Sequence, residues 1–129
     1  MPFGTFDIAG SGLHLGNMWI NTISHNIANA NTVRRTNEEP FRSSSPVVQE
    51  AANGQGVVVT GLQANDGQAA QVYSPGHPLA DGNGAVNQPV VDLGGEMVNM
   101  IIATRSYQAN LRTVESAREL YQASLQIGR

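Results

Sequence analysis

Apolar residues recur at alternating steps of four and three at both ends of the chain, and the rhythm disappears between them. One stripe runs through Ala9, Leu13, Gly16, Ile20, Ile23, Ile27 and Ala30. A second runs through Leu93, Met97, Met100, Thr104, Tyr107, Leu111, Val114, Arg118, Tyr121 and Leu125. A mean step of 3.5 residues is the seam of a coiled coil. The spacing therefore predicts a mainly α fold with a small β-rich insert, its N- and C-terminal helices forming an antiparallel coiled-coil pair. The expected division is an N-terminal coiled-coil helix in 1–31, a β-rich and looped insert in 32–91, and a C-terminal coiled-coil helix in 92–129, together one structural unit.

Local signals refine these elements. Residues 1–4 read as loose, and Thr5 or Asp7 is the expected start of the first helix, with Asp7 at the positive end of its dipole. Gly10, Gly12 and Gly16 each cost that helix roughly 1 kcal/mol against Ala, but a small residue at Gly16 lets a neighbouring helix come close. Asn29 and Asn31 are expected left-handed terminators. In the insert, Pro40, Pro46, Pro75, Pro78 and Pro89 exclude a long helix. Segments 41–48 and 56–62 read as strands, with 71–73 as a third. Asn53/Gly54, Asp66/Gly67, Pro75/Gly76, Asp81/Gly82 and Asn83/Gly84 are turn signals. Asp92 is placed to cap the last helix, with Glu96 in its first turn. Gly94 and Gly95 weaken that turn, and Gly128 with Arg129 closes the helix. Arg112 with Glu115 and Glu115 with Arg118 are favourable i,i+3 pairs.

Composition narrows the purpose. Of 129 residues, 40% are apolar but only 5% aromatic, so two long helices leave little for a compact core, and assembly is expected to supply the missing burial. The net charge is −3 and all 7 basic residues are Arg. With no basic stripe, nucleic acid is not an expected partner. Without Lys there is no Schiff-base chemistry and no phosphate-loop lysine; without Cys there is no disulfide, thiol nucleophile or thiolate metal site. The uncharged run from Ile8 to Val33 is broken by Asn17, Asn21, Ser24, His25, Asn26, Asn29 and Asn31, so no transmembrane segment is expected. The first basic residue is Arg34, which leaves no positive region for a cleaved signal peptide.

Nothing in the sequence assembles a catalytic, cofactor or metal site. His14, His25 and His77 are scattered, without ligand spacing. Gly10, Gly12 and Gly16 miss the dinucleotide pattern by one position and follow no strand. The run Asp81, Gly82, Asn83, Gly84 resembles the start of a calcium loop, but Ala85 and Val86 fill a ligand position and the required Gly, so it reads as a turn. No enzyme activity, cofactor or small-molecule substrate is expected.

Several stretches carry a family resemblance. The run Asn26, Ile27, Ala28, Asn29, Ala30, Asn31, Thr32, preceded by Ile23, Ser24 and His25, resembles the N-terminal signature of flagellar axial proteins. Residues 6–13, 73–81 followed by Gly84, 91–93, 96–100 and 105–110 are similar to the bacterial flagellar basal-body rod protein family, its proximal-rod branch in particular. Gly94, Gly95 and Trp19 depart from that pattern, and 34–50 matches loosely beyond Pro40, Phe41 and Arg42. The resemblance implies a structural subunit of the rod, packed through its terminal helices with copies of itself and other rod proteins. The implied assembly is a helical tube that crosses the periplasm, transmits torque and encloses the export channel. Its subunits leave through the flagellar type III export apparatus without a cleaved signal.

The expected assembly interface is Leu13, Trp19, Ile20, Ile23, Asn26, Ile27, Asn29, Met97, Met100, Tyr107, Leu111, Val114 and Tyr121. Trp19 lies one step off the stripe and points to a contact beyond the antiparallel partner. An Asp at Ile23 or Leu111 is expected to abolish assembly with expression intact. Two rivals stay open: another short axial protein, and a small ligand-binding domain using the loops near His77 and Asp81.

Overall fold

The computed structural model describes residues 2–52, 54–67 and 69–128, with side chains from residue 4 onward. Met1, Asn53 of the expected Asn53/Gly54 turn, and Arg129 lie outside the described residues. Two helices, α1 (Pro2–Ala28) and α2 (Leu93–Ile127), flank four short strands: β1 (Ser44–Glu50), β2 (Val57–Ala64), β3 (Ala70–Tyr73) and β4 (Ala85–Gln88). The fold is mainly helical with a β insert.

Helix α1 begins earlier than expected. Pro2 occupies its first position, where the missing N–H costs nothing and the fixed φ suits a helix. Asp7 therefore sits beyond the first turn, which holds no acidic residue. The end of α1 also differs, for neither Asn29 nor Asn31 takes a left-handed conformation. Instead the Asn29 side chain folds back, its Nδ2 donating to the His25 carbonyl at 2.9 Å while its Oδ1 accepts from Thr32 Oγ1 at 3.2 Å. The His25 carbonyl thus accepts both from the Asn29 backbone N–H, at 3.1 Å, and from its side chain.

The two helices run antiparallel and share the most extensive contact in the chain. Gly12 faces Asn110, Gly16 faces Tyr107, and Asn26 bonds Glu96. Of the α2 residues turned inward, Glu96, Met100, Tyr107, Asn110, Val114 and Ala117 are half-buried and Ala103 is fully buried, with Thr104 half-buried beside them. This set also steps by fours and threes. Met100, Tyr107 and Val114 of the apolar stripe read from sequence belong to it, and Thr104 of that stripe is half-buried as well, but the set lies slightly rotated from the stripe. Leu93, Met97, Leu111, Tyr121 and Leu125 of that stripe are exposed.

Close approach causes the rotation. A Cβ on Gly16 would meet Tyr107 Cβ at 3.2 Å, and one on Gly12 would meet Asn110 Nδ2 at 2.7 Å. Helices that come this close need small residues between them, hence Ala9, Gly12, Gly16 and Ala103 at the centre. Gly10, by contrast, has nothing within 4 Å of its missing Cβ. Gly10→Ala is expected to raise stability by about 0.5–1 kcal/mol through helix propensity alone. Gly56→Ala should lower it, because Gly56 has φ +97° and lies against the Ser11 hydroxyl. Urea denaturation of both variants checks the pair.

The cap of α2 follows the expectation. Asp92 Oδ1 accepts from Gly95 N at 3.1 Å. A Cβ at Gly95 would lie 2.6 Å from Asp92 Oδ2, so the glycine that weakens the turn also admits the cap. The i,i+3 pairs on α2 are not formed. Among the described residues the ion pair present is Arg42 with Glu39, at 3.5 Å.

The insert holds two antiparallel ribbons, β1–β2 and β3–β4. Ser44 pairs with Ala64 and Glu50 with Val57, and a bulge falls between Val47 and Val48. The expected third strand is β3, and its partner β4 was not anticipated. Arg34 extends that sheet by bridging Asn87, with N–H to carbonyl distances of 2.9 Å in both directions. Among the described residues the buried apolar set is Ala9, Ile23, Ala30, Val86 and Ala103. Only Ile23 among them is larger than valine, so the isolated chain has a thin core.

Candidate assembly surface

The expected interface residues fall into two groups. Ile23 and Asn26 are buried, at 2% and 1% exposure, and Leu13, Trp19, Ile20, Ile27, Asn29, Met100, Tyr107 and Val114 are half-buried. The structure brings these together within one chain, most of them along the α1–α2 contact. Met97, Leu111 and Tyr121 instead face outward on α2. Trp19 lines a cleft with Leu15, Ser45, Pro46, Val48 and Asn99, between α1, β1 and α2.

Asn26 is fully engaged inside the chain. Its Nδ2 donates to Ser44 O at 2.9 Å and to Glu96 Oε1 at 3.0 Å, and its Oδ1 accepts from Ser44 N at 3.0 Å. Toward Ser44 it bonds as a strand residue would, giving and taking one hydrogen bond.

What remains open is the outer face of α2. Leu93, Met97, Val98, Ile101 and Ile102 are exposed over its first turns, Met97 by 63% and Ile101 by 61%. Beyond exposed Arg105 and Gln108, Leu111 is exposed singly, and Leu120, Tyr121, Leu125 and Ile127 stand exposed near the C-terminal end. By the antiparallel register α1 begins opposite about residue 120, so the last turns of α2 extend past it. Val98, Ile101, Ile102, Leu120 and Ile127 were not among the expected interface residues. The signal for three of them was present as the i,i+4 pairs Val98/Ile102 and Met97/Ile101 beside the stripe. Apolar side chains clustered and exposed over the first turns of the helix mark an interaction site rather than ordinary surface.

The loops near His77 and Asp81 are occupied by their own backbone. His77 Nδ1 accepts from Leu79 N at 3.1 Å. Asp81 Oδ1 accepts from Asn83 N and Ala85 N, both at 2.9 Å, and Oδ2 accepts from Thr36 Oγ1 at 3.2 Å. Gly84 closes the turn at φ +76°. The Ala85 amide, helped by the Asn83 and Gly84 amides and the Thr36 hydroxyl, holds the Asp81 carboxyl below its ordinary value of 3.8, against a smaller opposing effect of desolvation. A carboxylate whose pKa falls on folding contributes stability above its unfolded pKa, and that contribution is lost as pH drops through the folded value. Asp81→Asn is therefore expected to destabilise the chain at pH 6 and to flatten its acid-unfolding profile below about pH 4. Parallel denaturation series at pH 3 and pH 6 check this.

An antiparallel helix pair with a thin core and exposed apolar clusters near both ends of α2 defines an assembly subunit. The sequence profile described as flagellar basal body rod FlgEFG protein C-terminal matches residues 83–127, which span β4 and α2. The chain is 41% identical over 127 residues to the flagellar basal-body rod protein FlgC of Salmonella typhimurium, covering 95% of each chain. It is 30% identical over 146 residues to FlgC of Borreliella burgdorferi, covering 97% of this chain and 96% of that one. FlgC of Aquifex aeolicus is 30% identical over 128 residues, with 96% and 95% covered. The chain belongs to the FlgC family of flagellar basal-body rod proteins. This is a family of structural subunits and not of enzymes; membership implies association with other rod components and a place in the flagellar basal body.

Proposed function

We propose that this chain builds the rod by packing the outer face of its helix pair against copies of itself and other rod proteins. The resulting helical tube crosses the periplasm, transmits torque towards the hook and encloses the export channel through which later subunits pass. The chain itself leaves the cytoplasm through the flagellar type III export apparatus. The observation that carries this reading is the set of exposed apolar side chains on the outer face of α2, Met97, Ile101 and Leu111 among them. Burying each such side chain contributes about 1.5–3 kcal/mol, and a thin-cored chain gains in the assembly what it lacks alone. Coiled-coil packing belongs to that state, where the outer stripe meets neighbouring helices while the inner one stays within the chain. Stiffness follows from helices locked on two faces rather than one. A strain lacking this chain should be non-motile and yield no complete rods, and the intact chain supplied in trans should restore both. Swimming cells with intact basal bodies in its absence would overturn the reading.

A further inference from the structure

The side-chain amide of Asn26 joins three elements: α1, which carries it; β1, through both backbone groups of Ser44; and α2, through Glu96. We infer that Asn26 is a latch that makes docking of the β1–β2 hairpin conditional on closure of the helix pair. The amide has two N–H donors, and at 1% exposure it has no access to bulk water. One donor serves Ser44 and the other Glu96. With α2 away, a buried donor loses its acceptor, and the amide turns out towards solvent instead. Ser44 then loses both of its partners on α1.

The Asn26 amide is the hairpin's tie at the Ser44 end. Two-stranded ribbons are marginal in water. At the far end of the ribbon Val57 N donates to Ser11 Oγ of α1 at 3.1 Å. Between these ends Pro46 and Val48 line a cleft with Leu15 and Trp19, and just before the hairpin Phe41 meets the His25 ring edge-on at 5.4 Å. Asn99 of α2 lines the same cleft, while the strands of the hairpin rest on α1. The coupling is reciprocal, because a docked hairpin also holds the amide in position to reach Glu96. Where the chain assembles as proposed, a consequence that rests on that reading follows. An unclosed subunit does not present the outward Val58 and Leu62 of its hairpin to a neighbour.

Amide hydrogen exchange on the purified full-length chain tests the latch. Glu96 makes no hydrogen bond to the hairpin, yet Glu96→Ala is expected to lower protection across 44–50 roughly tenfold. Glu96→Gln keeps an acceptor at the same place and should retain protection, which separates the hydrogen bond from the charge. Glu115→Ala, exposed on the same helix, should change nothing in the hairpin. Unchanged hairpin protection in Glu96→Ala overturns the inference, as does a loss confined to the first turns of α2. Loosening of the hairpin supports it whether or not the variant enters rods, since rod formation tests the assembly reading alone.

Discussion

Ile101→Asp and Leu111→Asp are expected to give folded monomers that fail to enter rods. Both residues lie on the open face of α2, exposed by 61% and 40%. In the free chain each substitution exchanges one solvated side chain for another. The cost should stay below about 1 kcal/mol, mostly the poorer helix propensity of Asp. In the assembly the same carboxylate is pressed between packed helices without a partner, which costs several kcal/mol. The penalty recurs at every copy of the contact, so a modest defect per subunit becomes a loss of structure. Urea curves of the purified chains, paired with swimming assays and basal-body preparations, separate the two effects. Ile101→Leu should behave as the unaltered chain in both. Normal incorporation of the two Asp variants would remove α2's outer face from the interface, whatever the monomer's stability.

The period of the helices was legible in the sequence; the choice between two stripes sharing that period was not. Met100, Tyr107 and Val114 belong to both, and they fixed the rhythm. Hydrophobicity then selected Leu93, Met97, Leu111 and Tyr121 as their companions, because these are large and apolar. The chain pairs its own helices through the other set, in which Glu96, Ala103, Asn110 and Ala117 are small or polar and carry no hydrophobic signal. The indication was on α1, where Gly12 and Gly16 fall one turn apart and permit an approach that only small partners can share. Asn26 was hidden for a similar reason. A buried amide satisfied by one strand and one carboxylate leaves no trace in periodicity, and the family signature marked its importance without its geometry. Strand β4 has four residues with Val86 alone buried and strongly apolar, between Gly84 and Pro89, too little pattern to outweigh its turns. The Asp92 cap and the Asp81 turn were readable because each is a local contact between neighbours in sequence.

Ile23 marks the boundary between fold and assembly, and its substitution should behave unlike that of Leu111 although both lie on the stripes read from sequence. At 2% exposure it is the largest apolar side chain fully buried among the described residues, set on α1 one turn before Asn26. Ile23→Ala removes buried methyl groups from a core otherwise made mostly of alanines and should cost about 2–5 kcal/mol. Ile23→Val should cost about 0.5–1.5 kcal/mol and remain folded. Ile23→Asp places a carboxylate at a position 2% exposed and should leave no stable monomer, given total stabilities of about 5–15 kcal/mol for ordinary domains. Low yield and rapid proteolysis are therefore expected for it, in place of the intact expression that the sequence suggested. Circular dichroism and urea denaturation of the Ala and Val variants supply the measurement where the Asp variant cannot be purified. If Ile23→Ala unfolds at the same urea concentration as the unaltered chain yet fails to assemble, Ile23 belongs to the interface between subunits. The close-packed α1–α2 contact would then not be the core of the free chain.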